Sequence, residues 1–143
     1  MRIRDIIHRD GARLRLSLAA GDSGDGPLLR LTEPEALFPA SVMLDLYGIE
    51  LLAGFLMSAR LSAVGELADE SCTGDTPLRM RLCAQGGANW VEIEQSGTRL
   101  LLHRKLWDRL YAELQLALAH GRHLRDVAPA IELALREARR LLH

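Results

Sequence analysis

The sequence predicts an α+β protein, with an antiparallel β-sheet meander of about six or seven strands followed by two C-terminal α-helices. Three observations lead there. Up to about residue 103 the apolar residues recur mostly with period two, and Gly, Pro, Asp and Asn break the pattern at short intervals. From residue 104 the spacing becomes helical. No linker-like or low-complexity stretch separates the parts, so the 143 residues are expected to form a single α+β domain, β-rich over 1–103 and helical over 104–143.

The strands follow in order. RIRDIIHR and ARLRLSLA flank Asp10-Gly11, a hairpin dipeptide, and the second segment sets Leu14, Leu16 and Leu18 against Arg13, Arg15 and Ser17. After the turn-rich AGDSGDGP comes LLRL, and then Thr32 and Glu35 in TEPEALF have the spacing of a capping box around one short helical turn. SVMLDLY points Val42, Leu44 and Leu46 one way. Residues 78–84, 89–95 and 98–103 repeat the alternation, with a tight hairpin expected at Ser96-Gly97.

YGIELLAGFLMSARLS, residues 47–62, is the longest nearly uncharged apolar run. Glu50 and Arg60 bracket too short a segment to cross a membrane, which takes about 20 apolar residues. Period alone does not separate strand from helix in such a run. Its setting among strands, the Tyr47-Gly48 turn signal and the helix-weakening Gly54 favour a central strand over 49–61. One face of that strand would carry Leu52, Gly54 and Leu56, an apolar stripe that a second subunit could cover.

The helical part is read as two helices. In the first, Leu106, Trp107, Leu110, Tyr111, Leu114, Ala117 and Leu118 share a face, and Gly121 ends it. The second starts near Asp126 as N-cap, tolerates Pro129 in its first turn, and turns Val127, Ile131, Leu135, Ala138 and Leu142 inward.

Composition excludes several classes of function. With 18 basic and 19 acidic residues the net charge is −1, so no overall field draws the chain to nucleic acid or anionic lipid. Cys72 and Cys83 lack metal or disulfide spacing, and His103, His120 and His123 lack a carboxylate or thiolate to complete a ligand set, so no metal and no cofactor is expected. The charged N-terminus MRIRDIIHRDG is unlike a secretory signal, which implies a cytoplasmic protein.

GDSGDGP, residues 21–27, resembles the nucleophile segment of trypsin-like serine proteases, but Asp25 replaces a glycine of that motif. Such an enzyme needs a His base, an orienting Asp and an oxyanion hole, and His8 lies in no matching context. The same loop lacks the spacing of an EF-hand. Glu66, Asp69 and Glu70, in the acidic loop over residues 65–77, read as solvated charge rather than an acid–base pair.

Arg13, Arg15, Arg30, Arg79, Arg81 and Arg99 fall on polar strand positions, joined by Trp90, as on sheets that bind single-stranded nucleic acid. In outline, a β meander followed by a helix resembles the Whirly class of DNA-binding folds, a likeness of architecture without a shared motif. Glu92 and Glu94 on the same face favour cross-strand ion pairs instead. The preferred expectation is a small non-enzymatic interaction or regulatory module that forms a homodimer. Its expected contact residues are Leu52, Gly54, Leu56, Trp107 and Tyr111. Single-stranded nucleic-acid binding through Arg13, Arg15, Arg79, Arg81, Trp90 and Arg99 is the alternative, and an enzyme the third.

Overall fold

The structure is a computed structural model that describes residues 2–7, 11–20, 27–34, 39–73 and 76–142, with the backbone alone at 2, 19, 20, 123–135 and 142. Among the described residues, eight strands form two four-stranded antiparallel sheets, so the chain is α+β with antiparallel sheets leading into a C-terminal helix. The first sheet is a meander of β1 (Arg2–Ile7), β2 (Arg13–Ala20), β3 (Pro27–Thr32) and β4 (Ser41–Leu44). Helix α1 (Leu46–Arg60) follows at once. The second meander comprises β5 (Glu70–Cys72), β6 (Leu78–Gln85), β7 (Ala88–Gln95) and β8 (Thr98–His103). A 3-10 turn over Arg104–Leu106 then opens α2 (Trp107–Leu142).

Period-two alternation produces these strands for the expected reason. Leu14, Leu16 and Leu18 are buried on one face of β2, while Arg15 is exposed on the other. Leu78, Met80 and Leu82 do the same on β6 between the exposed Arg79 and Arg81. The Ser96-Gly97 hairpin has φ of 50° and 81° at its two central residues, the left-handed geometry that matches the twist of paired strands. The short β5 lies inside the acidic stretch expected to be loop, pairing Ser71 with Arg79. The Asp10 half of the first turn and the helical turn expected after Thr32, over 35–38, lie outside the described residues.

Residues 46–60 are a helix, not the central strand their setting suggested. Asp45 decides this. Its Oδ1 accepts the Gly48 amide at 2.7 Å, and Ile49 N–H reaches the Asp45 carbonyl at 2.9 Å, so the chain enters a helix where a strand would have continued. The run is built from Leu, Ala and Met with Ile49 as its one β-branched residue, a composition that favours helix. Gly48, Ile49, Leu52, Ala53, Phe55, Leu56 and Ala59 are buried, and 48/52, 49/53, 52/56 and 55/59 each lie four apart, the repeat of one helix face rather than of a strand. Leu46 accordingly begins α1 instead of extending β4.

The second correction concerns the C-terminus. One continuous helix replaces the expected pair, and Gly121 is a packing residue within it. A Cβ at Gly121 would lie 2.6 Å from Leu46 Cδ2 and 3.1 Å from Pro27 Cγ, so the missing side chain lets α2 close on the starts of α1 and β3. Val127, Ile131, Leu135 and Leu142, expected to face inward, are outside the described side chains. Ala138, expected to be buried with them, is exposed.

One buried cluster joins both sheets and both helices. The helices bridge the sheets: α1 touches β3 and β4 of the first sheet and β5 and β6 of the second, while α2 lies against α1 and returns to β3. Arg4 on β1 reaches Glu113 of α2 at 2.8 Å, tying that return to the edge of the first sheet. At the other edge β4 lies beside β7 and β8. There the Gln95 carboxamide pairs with the backbone of Met43: its Oε1 accepts the amide at 2.7 Å and its Nε2 donates to the carbonyl at 2.8 Å. A side chain thus occupies the place of a ninth strand.

Two predictions follow from this packing. Gly54→Ala should stabilise the fold by about 0.5–1 kcal/mol, since a Cβ there meets nothing and helix propensity improves, whereas Gly121→Val should cost about 2 kcal/mol by overpacking. Urea titration measures both, and equal midpoints would contradict the packing role of Gly121. Gln95→Glu keeps an acceptor but loses the donor to Met43 and should cost about 1–3 kcal/mol. An unchanged urea midpoint would show that this clamp does not hold the sheets together.

Candidate functional site

Two surfaces carry the residues singled out by sequence, and the structure treats them differently. The first is the outer side of the helix pair. Arg122 pairs with Glu50, and Arg60 pairs with Asp108 at 2.8 Å, so α1 and α2 run antiparallel with an ion pair near each end. Between them an open groove of about 370 Å³ is floored by Ala53 and Leu118, and Met57, Tyr111 and Gln115 form its sides. Gly54 borders the groove and leaves space that a side chain would fill.

The five residues expected to share an apolar contact surface are therefore divided. Leu52 and Leu56, one helical turn apart, point into the core and are fully buried. Trp107 is buried too, and its Nε1 donates to the Leu102 carbonyl at 2.9 Å, which fixes the start of α2 on the end of β8. Gly54 and the half-buried Tyr111 remain at the groove. Beside them the helical geometry exposes residues the strand reading did not select: Tyr47 at 61%, Met57 at 42% and Leu61 at 82%. Positions 47, 50, 54, 57 and 61 are spaced by three and four, a signal that becomes legible once Asp45 is read as an N-cap.

The second surface is the outer face of the second sheet. Register places Arg81 opposite Glu92 and Arg79 opposite Glu94. Arg99 lies opposite Glu94 from the other side. Glu92, 7% exposed, receives Arg81 at 3.0 Å and Arg99 at 3.1 Å. This carboxylate raises the Arg81 guanidinium above its ordinary value, through a hydrogen bond first and charge second. Arg79 turns to Asp69 at 2.8 Å. Trp90 donates its Nε1 to the Gln85 carbonyl and meets the His103 ring edge-on, with centroids 4.6 Å apart.

Burial pushes the Cys83 thiol up, the neighbouring Glu92 charge adding to the effect. That makes Cys83 less of a thiolate at neutral pH, the opposite of an activated nucleophile.

On the first sheet Arg15 grips Asp5 through two hydrogen bonds, of 2.9 and 3.1 Å. This bond, more than charge, holds the Asp5 carboxyl below the usual aspartate value. Its contribution to stability is present above that usual value and is lost as pH falls through the lowered one; solvent at this surface pair keeps it small. Arg13 sits half-buried on the same face, and the exposed Arg30 places its Nε 3.3 Å from Met43 Sδ.

The remaining candidates do not assemble. Residues 21–26 and His8 lie outside the described residues. Glu66 caps the turn after α1 by accepting the Ala63 amide at 3.2 Å, and Asp69 is held by Arg79, so neither faces the other as an acid–base pair. His103 Nδ1 accepts the Lys105 amide at the start of the 3-10 turn. Among the described residues no three His, Cys, Asp or Glu side chains gather into a metal-binding group. No helix there is long and apolar enough to cross a membrane.

Glu92→Gln tests whether the arginine face is a built ion-pair network. It should lower stability by about 1–2 kcal/mol, because two charge-assisted hydrogen bonds weaken at a buried acceptor while both guanidinium groups stay solvated. Thermal or urea unfolding measures this, and a neutral substitution would mean the three side chains are held by nothing more than surface attraction.

No protein-family model matches the sequence, and no curated protein matches it significantly.

Proposed function

We propose that this protein is a small non-enzymatic interaction module that works by self-association and partner binding, with the α1/α2 groove as its contact surface. The observation that carries the reading is the apolar outer side of the helix pair. Met57 and Leu61 are exposed there beside Gly54 and Tyr111, on rigid elements whose opposite faces form the core. Exposed apolar side chains gathered on one face mark interaction surfaces more often than isolated ones do.

The charged groups support the same reading. Glu50, Asp108, Glu113 and Glu92, which line the surface hollows, each hold an arginine, so these four carboxylates are engaged in structure. An acid–base centre needs such groups converging on a common point where substrate can sit. Single-stranded nucleic-acid binding remains the second reading, carried by Arg79, Arg81 and Arg99 on one sheet face. Their partners Asp69 and Glu92 weigh against it, since a phosphate chain would have to displace carboxylates.

Sedimentation velocity on the full chain tests the proposal. A monomer–dimer equilibrium at micromolar concentration is expected, and Met57→Glu should weaken it at least tenfold with the unfolding midpoint of the dilute monomer unchanged. A strict monomer throughout that range would remove self-association. Tight, salt-sensitive oligonucleotide binding lost on Arg79→Ala with Arg81→Ala would move the assignment to the second reading.

A further inference from the structure

The outward side of α1 has a form that the chain's own packing does not require. Tyr47, Gly54 and Leu61 follow one another at intervals of seven residues, so they lie in one line along the helix with about 10 Å between neighbours. The two large apolar side chains stand exposed at the ends of the line, and the middle is bare. A glycine in mid-helix weakens the helix, yet a Cβ at Gly54 would meet nothing within 4 Å. What the bare position does provide is room for a second backbone to come close.

The charges beside this line are ordered too. At one end of the helix pair the acid is on α1 and the base on α2, Glu50 with Arg122; at the other end the order is inverted, Arg60 with Asp108. Position 55 is midway between the two charges of α1, and position 115 is midway between the two of α2. The apolar line is centred on Gly54, one residue from the first midpoint, and Gln115, at the second, lines the groove next to it. Two independent patterns therefore share one centre.

We infer that this face is one half of a closed dimer: α1 and α2 of a second copy stack on it about a two-fold axis that runs across the helices, past Gly54 and Gln115. The inference rests on the self-association proposed above and fixes its geometry.

A two-fold contact brings residue i to j and j to i, so a face binds its own copy only if it matches itself after reversal. Reversal about Gly54 lays α1 antiparallel on the same helix of the second copy. Tyr47 then meets the partner's Leu61, Leu61 meets the partner's Tyr47, and glycine meets glycine, where the helix axes can approach to about 8 Å. The same operation sets the Glu50–Arg122 end over the inverted end of the second copy, acid over base on α1 and base over acid on α2. Four charges alternate around each end, and every intrachain pair stays intact. An unrelated helix would need neither equal spacing about the glycine nor a charge order inverted about the same point; a copy needs both.

The contact is small. A patch about 21 Å long and two helices, roughly 20 Å, wide covers about 400 Å² in projection per copy before side-chain relief is counted, against roughly 800 Å² of accessible surface per partner in a standard interface. That size suits a reversible dimer, closed at two copies.

The test uses full-length chains on a common background of Cys72→Ser with Cys83→Ser, with the dimer followed by sedimentation velocity and folding by circular dichroism. Tyr47→Cys and Leu61→Cys are made separately, both at exposed positions. Treated with a short bis-maleimide, an equal mixture of the two should give covalent dimer in at least tenfold the yield of either variant alone. Position 47 meets 61 across the axis, whereas two copies of 47, or two of 61, stand about 21 Å apart.

A second arm reads the charges. Arg60→Asp with Asp108→Arg keeps an ion pair within the chain but gives both ends the same order, so like charges meet across the axis. The dimer should weaken at least tenfold, with the unfolding midpoint of the dilute monomer unchanged, and adding Glu50→Arg with Arg122→Glu should restore it. If the exchanged pair lowers that midpoint, the crosslinking arm alone decides.

A dimer in which either cysteine variant crosslinks to itself as well as the mixture does, or in which the mixture does not crosslink, overturns this geometry and leaves self-association standing. So does a dimer indifferent to the charge exchange. A background chain that stays monomeric removes both the geometry and the reading beneath it.

Discussion

Everything in this fold depends on the burial of α1 between two sheets that cannot close alone. A four-stranded meander has one apolar face and needs a cover about as large as itself. The first sheet is followed at once by a helix, but α1 also leans on β5 and β6, and α2 returns to β3. Leu52, Phe55 and Leu56 are buried among groups brought from both halves of the chain. Removing either half would therefore expose the core of the other. The short Asp45 entry into α1 is where this geometry is set, because it turns the chain out of the first sheet and directs the next fifteen residues across it.

The architecture repeats: a four-stranded meander and then a helix, twice. No fixed sequence period announces it, because each copy has adapted to a different neighbour. The first helix is apolar over nearly half its circumference, since it meets both sheets and α2. The second, where its side chains are described, has a narrower buried stripe at Trp107, Leu110, Leu114 and Leu118, with exposed Asp108, Arg109 and Gln115 among the residues between. The junction is equally unsymmetrical. At β4 the open edge is satisfied at Met43 by Gln95, so the two sheets meet through a side chain instead of a strand ladder. That arrangement leaves each sheet its own twist while still pairing a backbone donor and acceptor that would otherwise face the neighbouring sheet.

How much of this was legible in the sequence follows the physics of each signal. Strands with one wet face write their geometry as alternation, and β2, β6, β7 and β8 were readable for that reason. An element covered on several sides has no such alternation, and α1 could be read only from its cap and composition, where its neighbourhood misled. Gly121 failed differently. A glycine near a helix end signals either a stop or a close approach, and only the positions of Leu46 and Pro27 distinguish them. The candidate surface suffered from the α1 error directly: a strand puts Leu52, Gly54 and Leu56 on one side, whereas a helix buries the first and last and turns Gly54 outward. The arginine positions were legible, as was the pairing at Glu92, because cross-strand register follows from the hairpins; Arg79 turning to Asp69 was not, since Asp69 belongs to a stretch that read as solvated loop charge.

That difference between the two surfaces bears on what a functional surface requires. On the second sheet each arginine has been answered from within the chain, so the face is close to neutral and its polar groups are already partnered. Little is gained by bringing another molecule to it. On the helix pair the ion pairs stand near the ends of the groove and leave the middle apolar, so burial there has free energy still to release, about 25 cal/mol for each Å² removed from water.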